Sequence, residues 1–417
     1  AWIIGWDLIL EYLFAASTVA VGWSGYVVSF LRDFGIVVPP QWANATGAEL
    51  VQLPGSESWV PMTAQLQAQL ATQGIDIATL PQVTGIFNLV AAVAVALITV
   101  LLVLGIRESA RFNNAVVFIK LAVIMAFILA GGYFLFRNPE LARENWSPFI
   151  PENQGTFGEF GWSGVLRAAG VIFFAYIGFD AVSTVAQEAR DPQRDMPIGI
   201  LGSLVVCTVL YILVSGVLTA LVPYQQLNVA EPIAVGIEAT GYTILSDVIK
   251  IGAIAGLTSV MLVMLMAQPR IFFTMSRDGL LPPVFSRLHP RFRTPHIGTI
   301  LTGATCAFLA GALPINILGE LVSIGTLLAF VIVCGGVWYL RVKEPERERP
   351  FRVPLVPLVP FLGMAVCLAM MIGLPGETWV RLAAWLGIGL VLYFFYGRRH
   401  SVLRREAVVA GNSAESR

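Results

Sequence analysis

The amino-acid sequence predicts an all-α polytopic membrane protein. Three observations carry that reading. The chain holds ten long apolar runs, it is 57% hydrophobic with only 12% charged residues, and hydrophobicity inside each run is continuous rather than alternating. A soluble domain carries about 25% charged residues. Crossing ~30 Å of hydrocarbon at 1.5 Å per residue takes about 20 apolar residues. Backbone groups find no water there, so each run must close its own hydrogen bonds as a helix. Continuity within the runs excludes porin-like strands.

The first run, Ala1 to Phe30, is under way at the first residue with no basic leader before it, which points to a natural beginning further upstream. Residues from Arg32 to Val83 read as an external covering loop, with PMTAQLQAQLATQG as a short surface helix. The next runs are Thr84 to Ile106 and Phe112 to Phe136, then Val165 to Glu188 and Pro197 to Val222. Thr243 to Met275, Ile297 to Leu313, Ile315 to Leu340, Val356 to Leu374 and Trp379 to Tyr396 complete the set. The Arg-rich stretch Arg270 to His296 is expected along the membrane surface, and ERERPFRVPLVPLVP as a Pro-rich connector. The last residues, AVVAGNSAESR, have the composition of a disordered tail.

Net charge is zero, but the cations are distributed unequally. Five (Arg32, Arg137, Arg143, Arg167, Arg381) fall on one side of the runs and nineteen on the other, Lys120 and Lys250 lying within helices. Cytoplasmic loops collect Lys and Arg, so the nineteen are placed inside and the C-terminus with them. The four cysteines lie in apolar helices without CxxC spacing, and the three histidines lie in cytoplasmic segments. Neither set suggests a metal or a cofactor, and no nucleic acid partner is expected.

The run VLRAAGVIFFAYIGFDAVSTVAQE is apolar and then interrupted. Gly178 weakens a helix at its centre, and Asp180 is a poor interior residue but a good N-cap. A first half-helix should end near Tyr176, break at Ile177 to Phe179, and restart at Asp180. Such a break frees carbonyls on one half and N–H groups on the other, which suits a zwitterion. A kink with a capping aspartate is the plainer reading of the same residues. Glu11, Lys120 and Asp180 lie roughly 12–15 Å deep from the cytoplasmic ends of their helices. Each is costly in hydrocarbon, so a shared polar interior is expected, with structural salt bridging as the alternative. Asp7 sits one turn before Glu11, and Asp247 and Lys250 read as a pair at the outer end of a helix.

The blocks GWDLILEY, FFAYIGFD, QEARDPQRDMPIGI, QPRIFFTMSRDGLLP and RPFRVPLVPLVP, in this order, cover the chain nearly end to end. In them the chain resembles the amino acid–polyamine–organocation superfamily of secondary transporters, and within it the cationic amino acid transporters and their bacterial relatives. The resemblance implies a LeuT-like five-plus-five inverted-repeat fold, with the helices here numbered three to twelve. Residues 1–138 would be the remainder of the first repeat, 139–164 an external loop, 165–341 the second repeat, 342–397 two further helices and 398–417 the cytoplasmic tail. The family's first two helices, which supply half of the substrate site, are not in this sequence, and no transport is expected of the chain without them.

By the same resemblance Phe174, Ala175, Tyr176, Ile177, Gly178 and Phe179, with Asp180, match the sixth-helix break that holds the substrate ammonium. Glu11 matches the acidic residue of the third helix. Lys120 matches the fifth-helix lysine that stands where sodium sits in sodium-coupled relatives, and it would serve proton coupling. Ser259, Met261 and Met264 are offered as pocket walls on the eighth helix, plain packing being the commoner role for such methionines. The implied function is amino acid transport across the plasma membrane, with an amino acid, a proton and the lipid bilayer as partners. A sensor that keeps the fold and binds without flux is the alternative least easily excluded. An intramembrane enzyme is disfavoured because no histidine lies in a helix and GFD lacks a second aspartyl motif. A channel would need a filter-like loop or repeated polar faces.

Overall fold

In a computed structural model the chain is described over residues 2–52, 59–62, 66–67, 70, 75–105, 110–153, 155–178, 191–349 and 351–402. The apolar runs become helices, since nothing but the helix itself can satisfy their backbone. They are α1 (Trp2–Asp33), α2 (Leu89–Val103), α3 (Ala110–Arg137), the short α4 (Pro139–Asn145), and α5 (Gly161–Val171). There follow α6 (Pro192–Leu221), the short α7 (Pro232–Glu238), α8 (Thr243–Arg277), α9 (His296–Ala312), α10 (Ile315–Lys343), α11 (Leu358–Gly373) and α12 (Gly376–Leu392). Proline at the first position begins α4, α6 and α7, where its missing N–H costs nothing. Asn88 caps α2 by accepting from the Ala91 N–H at 3.0 Å and donates to Ser24 Oγ at 2.8 Å.

Among the described residues six helices are long and apolar enough to cross a bilayer, and α2, α9 and α11 are apolar but shorter. Length and composition therefore do not by themselves reach the ten crossings expected. Large apolar side chains cover the outer faces of the long helices: Phe118, Phe136, Ile244 and Phe395 are 72–84% exposed. Such a continuous apolar surface marks contact with lipid.

The long external segment is more structured than expected. It holds a three-stranded antiparallel sheet, β1 (Glu49–Gln52) between β2 (Trp59–Pro61) and β3 (Gln82–Thr84). Leu50 stands opposite Pro61 on one side and Val83 on the other, and Leu50 and Val51 are buried. The sheet is tied to the bundle where Thr46 N–H bonds Ala312 O at 3.2 Å. Strands of three or four residues are too short for a period-2 pattern to show in the sequence. Most of PMTAQLQAQLATQG lies outside the described residues.

α1 is the centre of the bundle and packs chiefly on α8 and α10. Small residues let helices approach closely: Gly5 lies against Met275, and Gly303 of α9 against Thr99 of α2. Trp23 donates to Thr258 Oγ1 at 2.9 Å, and Ser17 to Cys306 Sγ at 3.2 Å. At the other end of α1, Trp6 and Trp385 stack with centroids 4.7 Å apart, and each indole donates to the other's carbonyl.

Candidate functional site: an interrupted helix held from two sides

The α-helical ladder of α5 stops at Val171, and a 3-10 segment runs from Ile172 to Tyr176. Ile177 is then extended (φ −60, ψ 143), its N–H donating to Phe174 O at 2.9 Å. Gly178 has φ +118, a conformation that L side chains rarely adopt. This sequence of states takes carbonyls out of the regular helical ladder. Ile177 and Gly178 leave helical geometry, and the α-helix ends five residues earlier than the Tyr176 expected. Phe179 and Asp180, and with them the expected second half-helix, lie outside the described residues.

Two helices hold the segment. Ser323 of α10 donates to Val171 O at 2.7 Å and accepts from the Phe174 N–H at 3.2 Å. One hydroxyl therefore spans the point where α turns into 3-10. From α6, the Tyr211 hydroxyl donates to Ala175 O at 2.7 Å, and Thr208 lies 3.2 Å from the Tyr176 hydroxyl. The Tyr176 and Tyr211 rings meet at 5.3 Å. The Ala175 carbonyl is thus occupied by a tyrosine, where an open one was expected. The Phe174 ring lies against Gly319 of α10, and Phe173 meets Phe330 edge-on at 5.6 Å.

Lys120 and Ser259 are brought together: the Lys120 ammonium donates to Ser259 Oγ at 3.1 Å. Its aliphatic stem crosses α8 over Gly256, with Cε 3.1 Å from where a Cβ would stand. Glu11 is 1% exposed in the interior of α1. Met261 and Met264 are buried in the main core with Leu10, Leu265 and Leu327, an environment that favours the packing reading. Lys250 does not pair with Asp247. Its ammonium lies 2.6 Å from Asp33 Oδ2 and 2.6 Å from Glu238 Oε1, joining α8 to the end of α1 and to α7. Asp33 and Glu238 are distant in sequence, and the folded bundle brings them closer to the ammonium than Asp247 one turn away.

Ser323, Tyr211 and Thr208 were not singled out in the sequence. The only trace of the first is the small polar run SIGT inside an otherwise apolar helix. No trio of His, Cys, Asp or Glu converges as a metal site among the described residues.

Apolar helices packed around α1, with an interrupted helix held beside them by α6 and α10, make up a multi-pass membrane protein. Comparison with known proteins gives the family. The model of the amino acid permease family matches residues 1–400. The chain is 43% identical over 406 residues to a methylthioribose transporter of Bacillus subtilis, across 97% of this chain and 78% of that protein. It is 42% identical over 406 residues to the branched-chain amino acid permease BcaP of Bacillus subtilis, with the same 97% and 78% coverage. A vacuolar cationic amino acid transporter of Arabidopsis thaliana is 35% identical over 346 residues, 83% of this chain and 51% of that one. The chain belongs to the amino acid permease family of the amino acid–polyamine–organocation superfamily, whose members are transporters and not enzymes.

Proposed function

We propose that the protein is a secondary active transporter that carries amino acids across the cytoplasmic membrane by alternating access, driven by protons and independent of sodium. The observation that carries this reading is the break at Ile172–Gly178, stitched to α10 by Ser323 and to α6 by Tyr211. Backbone leaving the ladder between α6 and α10 offers carbonyls to a substrate ammonium, and the two supports keep that geometry fixed. The five-plus-five arrangement with ten crossings and a cytoplasmic C-terminus is part of the same proposal.

Side chains around the break favour a neutral substrate. Phe173, Phe174, Ile177 and Phe330 are apolar, and Phe173, Phe174 and Ile177 join the core. The branched-chain permeases among the relatives agree with that preference. A second reading comes from the methylthioribose transporter, because its identity to this chain is equally high. Lys120 is assigned to coupling: an ammonium bound to Ser259 Oγ stands in the interior as a cation that needs no sodium.

Uptake into proteoliposomes, by the protein together with the family's first two helices, separates these readings. Labelled leucine should accumulate under an inward proton gradient, with arginine and methylthioribose competing weakly and sodium without effect. Lys120→Ala should remove the response to the gradient. Uptake of methylthioribose in preference to leucine would replace the substrate assignment, a sodium requirement would overturn the role of Lys120, and binding without flux would make the protein a sensor.

A further inference from the structure

Asp7 is the buried group that the account above does not use. It lies on α1 at 0% exposure, and neither carboxyl oxygen has a hydrogen-bond partner among the described residues. Its Oδ1 rests against α10 at Gly325, 3.3 Å from where a Cβ would stand, with Leu10 Cδ2 at 3.0 Å from the same point. Ser323, two residues earlier on α10, is the residue that stitches the interrupted helix. Two residues on a helix are separated by about 200°. α10 therefore carries the Asp7 carboxyl on one side and the break on the other.

We propose that Asp7 is a binding site for the transported proton, distinct from Lys120 and linked to the substrate site through α10. An ionised carboxylate without a partner is costly in such surroundings, so its charge must be balanced. A metal cation would require several oxygen ligands, and no trio of His, Cys, Asp or Glu gathers at Asp7 among the described residues. A proton needs only the carboxyl itself. Among the described residues no titratable neighbour on another helix displaces this role. Glu11 is the acidic group one turn further along α1. α8 faces this end of α1 with Met275 at Gly5, and its Arg270 and Arg277 are exposed. α10 presents Gly325, α12 presents Trp385 to Trp6, and His296 at the start of α9 is half-buried. Binding forms one O–H bond and release breaks it. The bare carboxylate no longer tolerates contact with Gly325, α1 and α10 separate, and the hold of Ser323 on the break moves with α10.

The inference rests on the proton-driven transport proposed above, and its test keeps the two apart. Infrared difference spectra of the purified protein across a pH titration should show a carboxylic acid carbonyl band that Asp7→Asn removes. In proteoliposomes Asp7→Asn should lower gradient-driven leucine accumulation about tenfold more than it lowers leucine exchange, a ratio within usual coupling between sites. Asp7→Glu should restore part of it. Gly325→Ala, which crowds the carboxyl, should shift the pH of half-maximal accumulation even if Asp7→Asn does not fold. An infrared band unchanged in Asp7→Asn, equal losses of accumulation and exchange, or an unshifted pH profile in Gly325→Ala would overturn the role of Asp7. Failure of the wild type to take up leucine would instead overturn the function, while the infrared band still decides the proton site.

Discussion

Lys250 is 1% exposed yet charged, and two carboxylates from different elements make that possible. Breaking a buried pair leaves an uncompensated charge. Asp33 and Glu238 keep 31% and 42% of their side-chain surface exposed, so water recovers part of the loss. Lys250→Met should therefore cost about 2 kcal/mol rather than the full penalty of a buried charge. A lowered thermal midpoint in detergent would register it. Nearby Glu231 precedes α7, outside the spans, and is pushed up to about 7. Burial is the main cause and Glu238 adds to it, while Arg32 and Lys250 pull the other way. A carboxyl raised in the folded state stabilises the fold fully below its unfolded pKa and loses that contribution as pH climbs toward about 7. Thermal stability should fall over that window, and Glu231→Gln should flatten the fall. At the break, Tyr211→Phe removes the bond to Ala175 O and should cost about 1 kcal/mol, while altering leucine affinity more than stability.

At the scale of the element, the interrupted helix depends on Gly178 and Ser323 in different ways. Gly178 sits at φ +118 with no heavy atom of the described residues within 4 Å of the Cβ position, so Gly178→Ala meets backbone strain. A cost of about 1–3 kcal/mol is expected, with loss of leucine uptake as the stricter readout. Ser323→Ala leaves Val171 O and Phe174 N–H without their shared partner, and should weaken leucine binding while the bundle still folds. An interruption near Gly178 could be read from the residues themselves, because a glycine weakens the middle of an apolar helix, while Asp180 lies outside the described residues. Its supports were not. Ser323 lies 149 residues from Phe174, and Tyr211 lies 36 residues from Ala175. Partners so distant are chosen by packing, which no local pattern encodes. The early end of α5 at Val171 was hidden for a related reason. VIFFAY is as apolar as any helix, and the hydroxyl that lets it tighten comes from another one. The external sheet escaped because its strands are three and four residues long.

For the whole molecule, burial follows the solvent. Long apolar runs close their own hydrogen bonds as helices, so the six long helices among the described residues were readable from composition. What ties them is readable only in part: α1 at the centre was not evident, though its Gly5, Ser17 and Ser24 are the small residues that close packing uses. Gly303→Leu should drive α2 from α9 and lower the thermal midpoint by more than any surface change, since Thr99 already fills the space above that glycine. The sidedness implied by nineteen cations against five predicts that a cysteine placed at Arg347 is labelled by an impermeant reagent only in inside-out vesicles. The central claim concerns the main chain between Ile172 and Gly178. An experimental structure of the protein with bound leucine tests it most directly. The leucine ammonium should lie within hydrogen-bonding distance of carbonyl oxygens in that segment; leucine bound elsewhere, with the segment untouched, would rule the site out.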